Sequence, residues 1–153
     1  IDMPAGPSEV MVIADDDANP AFVAADLLAQ AEHGMDSQCI LICNTLDFAN
    51  KVNQQVNEQL GRLSRQDIIK HALTIGAIIL CDAMEERIKI INEYAPEHLI
   101  INCQKAESWV DKINAAGTVF LGPWAAETMG DYITGSNHVL PTNGFAKNHS
   151  GLS

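Results

Sequence analysis

Val10-Met11-Val12-Ile13-Ala14, then Asp15-Asp16-Asp17, then Asn19-Pro20, and then Cys39-Ile40-Leu41-Ile42-Cys43 form the succession that decides the fold. The first and last segments are apolar throughout and of strand length, as expected of strands buried on both faces. The acidic triplet breaks the first run. Asn19 is suited to cap a helix and Pro20 to occupy its first position. Phe22, Val23, Ala25, Leu27, Leu28 and Ala31 then keep roughly helical spacing, and Gly34 is a natural stop. A buried strand, a helix and a second buried strand make one β-α-β unit.

The same alternation continues outward. Helical patterns run from about Leu46 to Leu60 and from Arg65 to Thr74, the latter with Ser64 as its expected cap. Ala77-Ile78-Ile79-Leu80-Cys81 reads as the third strand, Met84 to Tyr94 as a helix, and His98 to Asn102 as the fourth strand. Ala106 to Ala116 reads as another helix stopped by Gly117, and Thr118-Val119-Phe120-Leu121 as the fifth strand. The expected fold class is α/β, an incomplete Rossmann-like, doubly wound and mainly parallel sheet with helices on both faces. In such folds ligands gather at the carboxyl ends of the strands. Residues 1–121 are expected to form this domain. Residues 122–153, rich in turn formers such as Gly122-Pro123, Gly130, Gly135-Ser136-Asn137 and Asn143-Gly144, are expected to form an irregular active-site loop or tail of the same domain.

Composition narrows the function. A chain of 153 residues suits one domain or a large piece of one, and nine basic against twenty acidic residues leave a formal charge of -11. With no basic run, a nucleic acid or an anionic membrane is a poor partner. No apolar run is long enough to span a bilayer, and the N-terminus lacks the features of a signal peptide. The chain opens on Ile1-Asp2, without Met, inside a patterned segment, and is expected to be a piece of a longer protein. Cys39, Cys43, Cys81 and Cys103 form no CxxC pair and read as reduced core thiols of a cytoplasmic protein.

Three groups of residues carry candidate chemistry. Gln30 and His33, three apart, share one helix face at a spacing that can grip a metal ion, although such a pair is also common at ordinary helix ends. Glu97-His98 sets a carboxylate beside an imidazole, as an acid/base pair requires. On a regular strand the two side chains would point to opposite faces, so they share a site only where the backbone turns. Asp131, Asn137 and His138 lie in a glycine-flanked loop that could complete a nitrogen/oxygen metal set or bond its own backbone. The acidic triplet Asp15-Asp16-Asp17 reads as a solvated turn, His71 as ordinary helix packing, and Trp109 and Trp124 as core or interface anchors. His149 stands in a polar tail and supports no role. No Gly-rich nucleotide fingerprint is present.

Taken together, these segments resemble histidinol dehydrogenase over nearly the full chain. The resemblance rests on Ile1-Asp2-Met3-Pro4-Ala5-Gly6-Pro7-Ser8-Glu9 continuing through Ala24-Ala25-Asp26-Leu27-Leu28-Ala29-Gln30-Ala31-Glu32-His33. It rests equally on Ala95-Pro96-Glu97-His98-Leu99, and on Gly130-Asp131-Tyr132 through Asn137-His138-Val139-Leu140-Pro141-Thr142. It implies an NAD- and zinc-dependent oxidation of L-histidinol to L-histidine through histidinal, by a homodimer. It implies Gln30, His33 and Asp131 as zinc ligands, with the metal holding the substrate's imidazole and amine. Glu97 and His98 become the acid/base residues, and Ser8 and His138 contact substrate. It also implies that the positions contacting NAD lie upstream of Ile1, and that a further zinc-binding histidine and a substrate-binding glutamate lie downstream of Ser153. The chain alone is then expected to be inactive. Competing readings are a non-catalytic α/β domain that binds a ligand or partner, and a metal-dependent hydrolase using a zinc-bound water.

Overall fold

The structure, a computed structural model, describes residues 6–121. Five strands, β1 (Glu9–Ala14), β2 (Gln38–Cys43), β3 (Ala77–Leu80), β4 (His98–Asn102) and β5 (Thr118–Leu121), form one sheet in the order β3-β2-β1-β4-β5. Every pairing is parallel. The chain first winds outward from β1 through β2 to β3, then crosses back and winds the other way through β4 to β5. Because βαβ crossovers are right-handed, the two directions put their helices on opposite faces. Helices α1 (Pro20–Ala31), α2 (Leu46–Leu60) and α3 (Gln66–Thr74) cover one face. Helix α4 (Met84–Tyr94) and a 3-10 helix (Ala106–Lys112) cover the other. The doubly wound α/β class expected from the sequence is the one observed.

Alternation along the strands divides the core between the two faces. Val10, Val12 and Ala14 pack with α1 and α2, whereas Met11 and Ile13 pack with Ile91 of α4 and Trp109 of the 3-10 helix. Trp109 is thus the core anchor expected of it, while Trp124 and His149 lie outside the described residues. Asn19 caps α1 through its side chain, which accepts from Ala21 N at 2.9 Å, with Pro20 at the first position. Thr45 caps α2 by accepting from Phe48 N at 3.1 Å. All four cysteines are reduced, and only Cys103 is not fully buried. Burial pushes the Cys103 thiol up to about 12, so it stays protonated.

Four details depart from the expectation. Strand β3 is not covered as an interior strand would be: among the described residues it has one strand neighbour, β2, and Ile78 and Leu80 remain 49% and 50% exposed. The segment 106–116 forms only a seven-residue 3-10 helix, Ala106–Lys112, in place of the expected longer helix. Helix α3 starts one residue later than expected, and Arg65, not Ser64, stands at its N-cap with no side-chain cap bond. His71 is exposed rather than packed. Among the described residues no helix is long and apolar enough to cross a membrane.

One buried cation ties the carboxyl edge of the sheet together. Arg87 of α4 donates from Nε to Cys81 O at 2.6 Å and from Nη1 to Asp15 Oδ1 at 3.1 Å. The guanidinium therefore joins the ends of β1 and β3 from across the α4 face. Losing it leaves a buried carbonyl and a half-buried carboxylate without their donor. Arg87→Ala is expected to lower stability by about 3 kcal/mol in urea unfolding. Arg87→Lys is expected to recover little of that, because a single ammonium cannot span both acceptors.

Candidate active site at the amino edge of the sheet

The candidate residues collect at the amino ends of the strands, opposite to the carboxyl ends that the fold class led us to expect. Helix α1 runs antiparallel to the strands it joins. Its last turn, with Gln30, and the following turn, with His33, therefore return to the edge where β1 and β4 begin. Ser8 immediately precedes β1 there, and its carbonyl accepts from Gln38 N at 2.9 Å. Glu97 and His98 stand at the head of β4, and β1 pairs with β4 so that Val10 faces His98.

Glu97 and His98 do reach one another. Ala95 ends α4 in the left-handed conformation, φ 55°, Pro96 follows, and the chain bends at Glu97 before β4 begins at His98. This bend meets the condition that a regular strand could not. His98 Nδ1 lies 3.9 Å from Glu97 Oε2, and both residues are buried. The Glu97 carboxylate accepts from Glu9 N at 2.9 Å. Its backbone carbonyl accepts from Thr118 N at 2.8 Å. Gly117 permits that contact: a Cβ there would sit 2.4 Å from Glu97 O, too close for any other residue without a backbone shift. On its ring face, His98 stacks on Phe120 with centroids 6.2 Å apart and planes 17° from parallel.

The other half of the site is a flank of α1. Gln30 is 0% exposed, and among the described residues neither its amide oxygen nor its amide nitrogen has a hydrogen-bond partner. An unsatisfied buried amide costs about 1–3 kcal/mol, which makes the side chain a natural ligand for something that binds there. His33 is exposed beyond the helix end. Asp131 and His138 lie outside the described residues, so the three-ligand set is described only through Gln30 and His33. Among the described residues no group of three or more His, Cys, Asp or Glu could hold a metal by itself.

Two acidic residues at this site carry more than the sequence reading gave them. Glu9, 1% exposed, stands at the head of β1 and faces Glu97. Asp26, buried, is four residues before Gln30 and so on the same flank of α1, and burial pushes its carboxyl up to about 7. For Asp26, a carboxylate inside an otherwise apolar helix segment is the available signal.

The fold and this edge define a class: a doubly wound α/β protein with an imidazole and a carboxylate close together at the head of β4, and a buried carboxamide without a partner among the described residues at the end of α1. The histidinol dehydrogenase family model matches residues 1–153, and the chain belongs to that family. It is 69% identical over 153 residues to histidinol dehydrogenase of Legionella pneumophila (strain Paris), covering 100% of this chain and 36% of that protein. It is 55% identical over 152 residues to histidinol dehydrogenase of Pectobacterium atrosepticum, covering 99% of this chain and 34% of that protein. The crystal structure of histidinol dehydrogenase from Elizabethkingia anophelis superposes with a TM-score of 0.95 at 53% identity, over 99% of this chain and 35% of that one. The chain thus spans about a third of the length of the curated relatives it matches.

The Asp26 carboxyl gives a measurable pH dependence. Its ordinary value is 3.8 and its folded value about 7, so between them the folded state holds the extra proton. Stability contributed at this position therefore falls as pH rises through that window. Asp26→Asn is expected to match the parent near pH 4 and to exceed it by up to about 4 kcal/mol near pH 8 in urea midpoints.

Proposed function

We propose that this chain carries the acid/base centre and part of the metal site for a zinc- and NAD-dependent oxidation of L-histidinol to L-histidine through histidinal. The observation that carries the reading is the fixed Glu97–His98 pair, its imidazole 3.9 Å from its carboxylate at a buried edge. Loss of hydride from an alcohol needs a base for the hydroxyl proton, and an imidazole titrates in the right range for that task. His98 takes that proton. Glu97 activates the water that adds to the aldehyde, turning the second oxidation into one that yields the acid. Ser8 and His138 contact the substrate alongside the metal ligands.

The residues fit a metal. Gln30 offers a buried amide oxygen without a partner, and His33 an imidazole one turn further on. With Asp131 they would form a mixed nitrogen/oxygen set suited to zinc. Zinc, when bound, supplies orientation and charge for the substrate's imidazole and amine. The family resemblance assigns the dinucleotide contacts to positions upstream of Ile1. The turn after β1, where doubly wound folds receive a pyrophosphate, carries Asp15, Asp16 and Asp17, whose charge opposes it. NAD brings hydride acceptance as its own chemistry. Residues 122–153 are assigned to the active-site loop, and the family reading adds a cytoplasmic homodimer acting on a small-molecule substrate.

Activity is to be measured in a protein of full family length carrying this sequence. His98→Asn is expected to lower kcat by about 100-fold or more with a small change in KM. Glu97→Gln is expected to slow histidinal oxidation more than histidinol oxidation, so that NADH formed per histidinol falls from two towards one. Gln30→Ala is expected to lower bound zinc, read by metal analysis of the purified protein. The 153-residue chain by itself is expected to form no NADH from histidinol. An unchanged kcat in His98→Asn would sink the reading.

A further inference from the structure

We propose that Glu9 is the positioning residue of this site: its buried side chain and its backbone together aim Glu97 and His98. The inference rests on the acid/base reading above. Glu9 and Glu97 clamp each other reciprocally. The backbone N–H of Glu9 donates to Glu97 Oε2 at 2.9 Å, and the backbone N–H of Glu97 donates to Glu9 Oε2 at 3.3 Å. The Glu9 carbonyl oxygen lies 3.3 Å from His98 Nδ1. A carbonyl oxygen can only accept, so this contact assigns the proton to Nδ1 and makes Nε2 the acceptor nitrogen of the neutral ring. A base needs that nitrogen.

Glu9 thus holds three things at once: the Glu97 carboxylate, the Glu97 backbone and the tautomer of His98. The two backbone contacts use main-chain atoms of Glu9, so a substitution of its side chain weakens them only indirectly, through the bend they share with Glu97. The third bond, from the Glu97 N–H, is lost directly. That bond fixes the bend between Pro96 and β4, on the other side of which Thr118 N and the absent Cβ of Gly117 fix the Glu97 carbonyl. Removing it frees one end of the bend while leaving a buried N–H unpaired. Glu97 and His98 then lose their common aim, and misplacement of about 1 Å is enough to cost about 100-fold in rate.

The test uses the protein of full family length with zinc bound. Glu9→Leu removes the acceptor, Glu9→Asp keeps the charge but shortens the reach by one methylene, and Glu9→Gln keeps an acceptor oxygen at the same reach. Glu9→Leu and Glu9→Asp are expected to lower kcat by about 30- to 100-fold with KM within about threefold of the parent. Glu9→Gln is expected to stay within about fivefold of the parent. In 15N spectra of the imidazoles, His98 is expected to lose its pure Nδ1–H signature in Glu9→Asp and to keep it in Glu9→Gln. In a His98→Asn background, Glu9→Leu is expected to add little further loss, since the group it aims is gone. Should Glu9→Leu fail to fold, Glu9→Asp against Glu9→Gln carries the same comparison. A kcat for Glu9→Asp within twofold of the parent, or equal losses in Glu9→Asp and Glu9→Gln, would overturn the role of Glu9. Parent-like activity of His98→Asn would instead overturn the acid/base reading on which it rests.

Discussion

The parallel pairing of β1 with β4 is the constraint on which the rest depends. It lies at the point where the chain reverses its winding direction, so it joins the two halves of the sheet. Its register sets Val10 against His98, and therefore Glu9 beside Glu97. A slip of one residue would move every side chain of β4 to the opposite face. His98, Ile100 and Asn102 would exchange places with Leu99 and Ile101, burying polar groups against α4 and stripping the site of its imidazole. Apolar burial on both faces enforces this register: Met11, Ile13, Leu99 and Ile101 fill the α4 side, and Val10, Val12 and Ile100 the α1 side.

The placement of the site follows from the direction of α1 rather than from the habit of the fold class. Doubly wound sheets usually take ligands at the carboxyl edge, in the crevice beside the switch point. Here that crevice is lined by Asp15, Asp17, Asn19, Asn102 and Gln104, and Asp15 is occupied by Arg87 and by the Gln104 amide. Polar side chains at that edge are spent on holding strands and helices together. At the amino edge the balance is reversed. The Gln30 amide has no partner among the described residues, while the Glu97–His98 pair is held by both the backbone and the side chain of Glu9. A rigid backbone frame with an unsatisfied amide beside it suits ligand binding better than a closed ion-pair network.

Much of the fold was legible in the sequence because its signals are local. Apolar runs of strand length marked all five strands, and Asn19-Pro20 marked the start of α1 with a mechanism that the structure repeats. The failures arise where tertiary context overrides the local pattern. Ala77–Leu80 reads like an interior strand, yet only its place in the strand order shows that it is an edge. Residues 106–116 have helical composition, yet only Ala106–Lys112 is helical, and as a 3-10 helix. At the site, Gln30 and His33 were an unremarkable helix end by spacing alone, and the family resemblance is what drew attention to them. Glu9 was passed over, because a carboxylate at the head of a strand looks like a solvated cap until the partner strand buries it.

By itself, then, the sequence determined the class of fold, the order of elements and, through its long motifs, the family. Those properties follow from hydrophobic periodicity, capping residues and contiguous segments, each of which acts within a few residues. Only the tertiary structure decided that the described candidate residues gather on the amino edge, that Glu97 and His98 approach each other across a bend, and that Glu9 contacts both. These depend on a strand pairing between residues 88 and 89 positions apart in the chain. Burial, register and the proton on His98 Nδ1 are properties of that pairing, and no local pattern contains them.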